Sequence, residues 1–146
     1  MNIREQAKAY VEALALNAVD LKKVIVWADS IILKESDPKI EFIELAGSQK
    51  ESHAITYLNI ISSGADEELS FRILFGLLIS ALKNGSSSYE AVSKRLYFWS
   101  MYESNLDKYN QLGSFWDEID LAERGSYGNP QEVKNRFIEY LYEHQA

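Results

Sequence analysis

The residues of this 146-residue chain that could do chemistry are mostly carboxylates: 22 aspartates and glutamates stand against 15 lysines and arginines, two histidines and no cysteine. The missing cysteine excludes disulfides, thiolate metal sites and thiol nucleophiles. His53 and His144 are the imidazoles, and Lys50 and Leu141 stand where a Glu-x-x-His ligand pair would need glutamate. An all-carboxylate magnesium or calcium site stays open, although there is no EF-hand loop. For acyl transfer, nothing resembles Gly-x-Ser-x-Gly, and helical patterning supplies no strand for a nucleophile elbow. Gly125-x-x-Gly128 lacks a following basic residue at Walker spacing, so it is no phosphate loop. Paired carboxylates for glycosidic chemistry also stay open, but nothing singles out a pair. The expectation is a binding protein, with no catalytic residues, no cofactor and no metal.

The acids are unevenly spread. From residue 29 to residue 68 there are nine, namely Asp29, Glu35, Asp37, Glu41, Glu44, Glu51, Asp66, Glu67 and Glu68, opposed by Lys34, Lys39 and Lys50. That is a local net charge of −6 within a chain whose total is −7. A field concentrated in this way attracts a basic partner and speeds encounter. Asp37, Glu41 and Glu44 fall at i, i+4 and i+7, which predicts one stripe on a short helix. Such a stripe alone is the ordinary mark of a solvated face. The run Asp66-Glu67-Glu68 suits a helix N-terminus, where each acid contributes about 0.3–1 kcal/mol.

Half of the aromatic residues lie between Tyr89 and Tyr127. Tyr89, Val92, Leu96 and Trp99 share one helical face and read as core. Tyr97, Phe98 and Trp99 together cover most of a helix circumference, so either helices surround this segment or part of it is an exposed anchor. Tyr102 and Tyr109 are open between core and interface. Trp27 and Tyr102 join the acids as candidate partner-binding anchors.

Helices must position these groups. The predicted elements are Ile3 to Leu16; Asp20 to Lys34, where β-branched residues also permit a strand over Val24–Trp27; and a short helix opened by Asp37 as cap with Pro38 in the first position and closed by Gly47. Ser48 with Glu51, and Ser87 with Glu90, match capping boxes that open the fourth and sixth helices. The fifth and most apolar helix starts at Ala65 or Asp66 and ends at Asn84-Gly85, carrying Phe71, Leu74, Phe75, Leu77, Leu78, Ala81 and Leu82 as the centre of the core. Gly76 inside it suggests close approach of a neighbouring helix, or a hinge. The sixth runs to Ser104. The stretch Leu106 to Glu123 is the next helical one, interrupted by Gly113, so that its helix starts either before that glycine or only at Ser114, and the last helix opens at Asn129-Pro130 and runs to His144. The fold class expected is all-α, a compact single domain over residues 1–146 with seven or eight helices.

The acidic balance argues against binding nucleic acid through its phosphates. The N-terminus lacks the apolar core of a signal peptide, and Ile73–Leu82 is about half the length that spans a bilayer, so no membrane association and a cytoplasmic location are expected. The segment Val26-Trp27-Ala28-Asp29-Ser30-Ile31-Ile32, with Pro38, Phe42-Ile43-Glu44-Leu45 and Ser48, resembles small acidic helical bacterial proteins, some of them immunity partners of polymorphic or contact-dependent toxins. The resemblance spans Val26 to Ala91 and transfers no functional residue. It implies a bacterial immunity protein that neutralises a basic toxin, such as a nuclease domain, by covering it. The alternative is a structural or regulatory helical module that forms homo-oligomers or docks on another protein through the Tyr97–Trp116 region.

Overall fold

The computed structural model describes residues 2–126 and 128–146. Eight α-helices follow one another among them: α1 (Ile3–Ala15), α2 (Leu21–Lys34), α3 (Ile40–Ala46), α4 (Glu51–Ile61), α5 (Glu67–Asn84), α6 (Tyr89–Phe98), α7 (Leu112–Glu123) and α8 (Pro130–His144). No strand occurs among the described residues. Val24, Ala28 and Ile31 recur one helical turn apart and are buried, so phase decides α2 in favour of helix over strand.

Two groups of helices share one core. Helix α1 packs on α4, α2 and α3 pack on each other and on α4, and α1 also packs on α5; beyond α5 come α8, then α7 and α6. Helix α5 buries Phe71, Leu74, Phe75, Leu78, Ala81 and Leu82, as its sequence predicts, and Ile79 besides, whereas Leu77 is only partly buried against that core. Helix α1 buries Ala7, Ala9 and Ala13. Ala7 and Ala9 are about 200° apart around the helix, so α1 is covered on two sides, and alanine is what lets neighbours on both sides come close.

Sequence reading succeeds at some helix ends and misplaces others. Asp66 caps α5 by accepting from the Leu69 N–H at 2.9 Å, and Asn129 caps α8 by accepting from Gln131 and Glu132, with Pro130 in the first turn. Helix α3 instead starts at Ile40, with Lys39 in the cap position and no side-chain cap, so Asp37 and Pro38 lie in the α2–α3 connection. Ser48 is buried and donates to the Glu44 carbonyl, and α4 starts at Glu51 behind Lys50; the expected capping box does not form. At α6 the cap is Ser88, because Ser87 is turned inward to donate to the Leu16 carbonyl at 2.7 Å. Helix α7 begins at Leu112 and runs through Gly113, earlier than Ser114. A side chain at 113 would press on the Met101 sulfur at 3.0 Å, so this glycine marks a close approach rather than a helix boundary. A Cβ at position 76 would meet the side-chain amide oxygen of Gln145 in the C-terminal tail at 3.1 Å, not another helix.

Helix α6 ends in a π-helical turn, Trp99–Glu103, closed by the Ser104 N–H on the Trp99 carbonyl at 2.7 Å. Trp99 is fully buried and stacks on Phe71, with ring centroids 4.3 Å apart and planes 6° from parallel. Tyr109 is also buried, 4.9 Å from Trp99, so both belong to the core. Tyr127 lies outside the described residues.

Arg95 ties this turn to α1. It donates through Nε and Nη2 to Glu12 at 2.7 and 3.0 Å, and it also pairs with Glu103. These hydrogen bonds hold the guanidinium firmly protonated, and the ones to Glu103 hold that carboxyl below the usual carboxylate range. Replacing Arg95 by alanine would leave Glu12 half-buried without its partner. Both acids keep some contact with water, so the loss should be about 1–3 kcal/mol, below that of a fully buried pair. A depressed carboxyl pKa adds stability above the ordinary carboxylate range, and that stability is lost as pH falls through the folded value. Denaturant titration over acid pH should therefore show Arg95→Ala both less stable at neutral pH and flatter on the acid limb.

Candidate acidic cleft

The structure divides the acidic block into two parts with different fates. Asp66, Glu67 and Glu68, at the start of α5, are occupied internally. Asp66 caps the helix, Glu67 faces Lys8 at 3.8 Å, and Glu68 pairs with Lys108 at 2.9 Å. Glu67 and Glu68 thereby link α5 to α1 and to the 107–109 turn through surface ion pairs, while the Asp66 side chain serves its own helix.

Asp29, Glu35, Asp37, Glu41 and Glu44 are different. No ion pair holds any of them among the described residues. Because α3 starts at Ile40, Asp37 lies outside it, so the three-carboxylate helical stripe does not exist as predicted. Glu41 and Glu44 share a helix face; Asp37 is placed by the connection instead. What converges is a different set. Glu35, Asp37 and Glu41 line a cleft of about 620 Å³ together with Glu5 of α1, and Arg4 and Lys39 line it too. Its apolar wall is made by Ile3, Ile31, Phe42, Ile60 and Ile61. Four helices therefore contribute: the first turn of α1, the end of α2, the start of α3 and the end of α4. Asp29 and Glu44 stand on α2 and α3 outside that lining.

Sequence reasoning missed Glu5 and Arg4. They lie about thirty residues before Glu35, and nothing in their local pattern marks them; only the packing of α1 on α4 brings them in. Glu5 is fixed by accepting the Asp66 N–H at 2.7 Å, which places its carboxylate at the start of α5, where the helix dipole favours it. Glu35, Asp37 and Glu41 make no side-chain hydrogen bond among the described residues.

The expected anchors also separate. Trp27 is wedged between Tyr10 and Phe42, at centroid distances of 5.1 and 6.0 Å, and its indole donates to Gln6 at 3.0 Å. Its ring holds α2 to α1 and α3 and offers no free indole. On the same helices the exposed apolar side chains are Val26, Leu33, Ile40 and Ile43, with Leu33 85% exposed. Tyr102 is 72% exposed and sits with Phe98 and Tyr97 beside Trp116, on the other group of helices.

Among the described residues no group of three histidine or acidic side chains is arranged to hold a metal ion, and no helix is long and apolar enough to cross a membrane. The two aspartates can be separated experimentally. Asp66→Ala removes a helix cap and should cost about 1 kcal/mol. Asp37→Ala removes nothing that folding uses and should stay within about 0.5 kcal/mol of the parent in urea unfolding. Comparison of the chain with protein-family models, curated proteins and solved structures found no match.

Proposed function

We propose that the chain is a non-catalytic binding protein that captures a basic partner protein on the α2–α3 side, acting as a bacterial, cytoplasmic immunity protein against a basic toxin such as a nuclease domain. One observation carries this reading: Asp29, Glu35, Asp37, Glu41 and Glu44 remain free of ionic partners among the described residues, while Glu67 and Glu68 pair with Lys8 and Lys108 and Asp66 caps its own helix. Unpaired surface carboxylates leave a field in solution that internally neutralised ones do not. Val26, Leu33, Ile40 and Ile43 lie exposed on α2 and α3, the helices that bear or flank those acids, so electrostatic capture can be followed by burial of apolar area. An acidic surface of this kind blocks a nuclease by occupying the basic cleft that would hold its substrate. The toxin as target, and the bacterial setting, rest on the resemblance carried by the Val26–Ala91 segment.

A second reading has its own support. Tyr102, with Met101 and Phe98 beside it, presents an exposed apolar face at the π-helical turn, which suits self-association or docking on another protein.

The test uses the protein encoded beside this chain's gene. Converting Asp37, Glu41 and Glu44 to lysine should slow its association by about tenfold at low salt and flatten the dependence on ionic strength. Co-expression of the parent chain should relieve any growth arrest that the neighbour causes, and the triple variant should relieve it less. A folded variant with unchanged association kinetics would contradict the proposal.

A further inference from the structure

We propose that the cleft between α1, α2, α3 and α4 seats an arginine- or lysine-bearing segment of the partner, with an aliphatic residue next to the cation; this rests on the capture of a basic partner described above. The cleft combines two features that such a segment needs. Its volume of about 620 Å³ falls within the roughly 300–1,000 Å³ of ligand-binding clefts, room for a short stretch of side chains rather than one ion. Ile31 and Phe42 form a buried part of its wall and Ile60 an exposed part, against which the methylene stem of a long basic residue can lie.

Charge decides which end of the segment goes where. Glu35 and Asp37 are exposed and unpaired at the end of α2 and in the connection, and Glu41 is half-buried on α3. Glu5 is already held by the Asp66 N–H, so those three carboxylates are the ones available to an incoming cation. Arg4 and Lys39 reduce the net charge of the lining to −2. They make the cleft selective by position: a diffuse polycation gains little, whereas a cation placed at Glu35, Asp37 and Glu41 with an apolar neighbour on the isoleucines satisfies both surfaces. An acidic segment would meet three free carboxylates and is rejected.

The experiment titrates two capped tetrapeptides, acetyl-Leu-Arg-Leu-Arg-amide and acetyl-Leu-Glu-Leu-Glu-amide, into the full chain and follows isoleucine methyl resonances. The arginine peptide should shift Ile3, Ile31, Ile60 and Ile61 with a dissociation constant on the order of 1 mM, while Ile119 and Ile138 on α7 and α8 stay still. The glutamate peptide should shift none of them. Ile60→Lys, at an exposed position, and the double change Glu35→Gln with Asp37→Asn should each weaken the arginine peptide several-fold, with unchanged Ile119 and Ile138 resonances reporting an intact fold. Asp29→Lys with Glu44→Lys, outside the lining, should leave peptide affinity within about twofold. Equal shifts with both peptides, shifts confined to α7 and α8, or no loss in either cleft variant overturns the seat. A dimer that Ile60→Lys dissociates would assign the cleft to a second copy and overturn it as well. Charge reversal that still slows the full partner while the peptide ignores the cleft would sink this inference and leave the broader one standing, so the two fail separately.

Discussion

Everything in this fold depends on α1 being covered on two sides by closely approaching neighbours. Ala7, Ala9 and Ala13 are buried where larger residues would hold α4 and α5 apart. Through that packing the α2–α4 group is joined to the α5–α8 group. The same helix sends Glu12 to Arg95 and the π-helical turn, Gln6 to the Trp27 indole, and Glu5 to the backbone at the start of α5. Its first turn then supplies Ile3, Arg4 and Glu5 to the cleft. Enlarging one of those alanines would force its neighbour outward or its own side chain off rotamer, at about 1–3 kcal/mol. Cleft geometry and core integrity are thus two consequences of one contact.

The division of the acids follows from this arrangement. Helix α5 needs negative charge at its start, and Asp66 supplies the cap while Glu67 and Glu68 reach bases on other elements. Lys8 and Lys108 offset the charge of Glu67 and Glu68. Helix α3 begins two residues after Pro38 and leaves Asp37 without a structural role. Five carboxylates without ionic partners among the described residues therefore stand on the α2–α3 side, beside apolar side chains that are exposed to solvent. The aromatic face around Tyr102 lies on the other group of helices, where Arg95 pairs with Glu103 and three acids of α7, Glu118, Asp120 and Glu123, are held in ion pairs.

The all-helical class was legible because apolar spacing in α2, α5 and α6 follows one helical face, and because Asp66 and Asn129-Pro130 are local signals that need nothing from the rest of the chain. Where a cap failed, tertiary contact took the residue away: Ser87 turned to the Leu16 carbonyl, and Ser48 to the Glu44 carbonyl in the buried α3–α4 corner. Trp27 had the composition of an interface anchor, but a partner for its indole, Gln6, lay on another helix where sequence spacing could not show it. The cleft was half legible. Glu35, Asp37 and Glu41 belong to one run of sequence, whereas Glu5 and Arg4 arrive only by long-range packing, and no local pattern announces them.

Hydrogen exchange on the complex with the basic partner tests the central claim most directly. Protection confined to residues 31–44 and the first turn of α1, with the 97–116 region exchanging as in the free protein, is the result expected of capture on the acidic side. Protection of 97–116 with no change across 31–44 would contradict it and place the interface on the aromatic face.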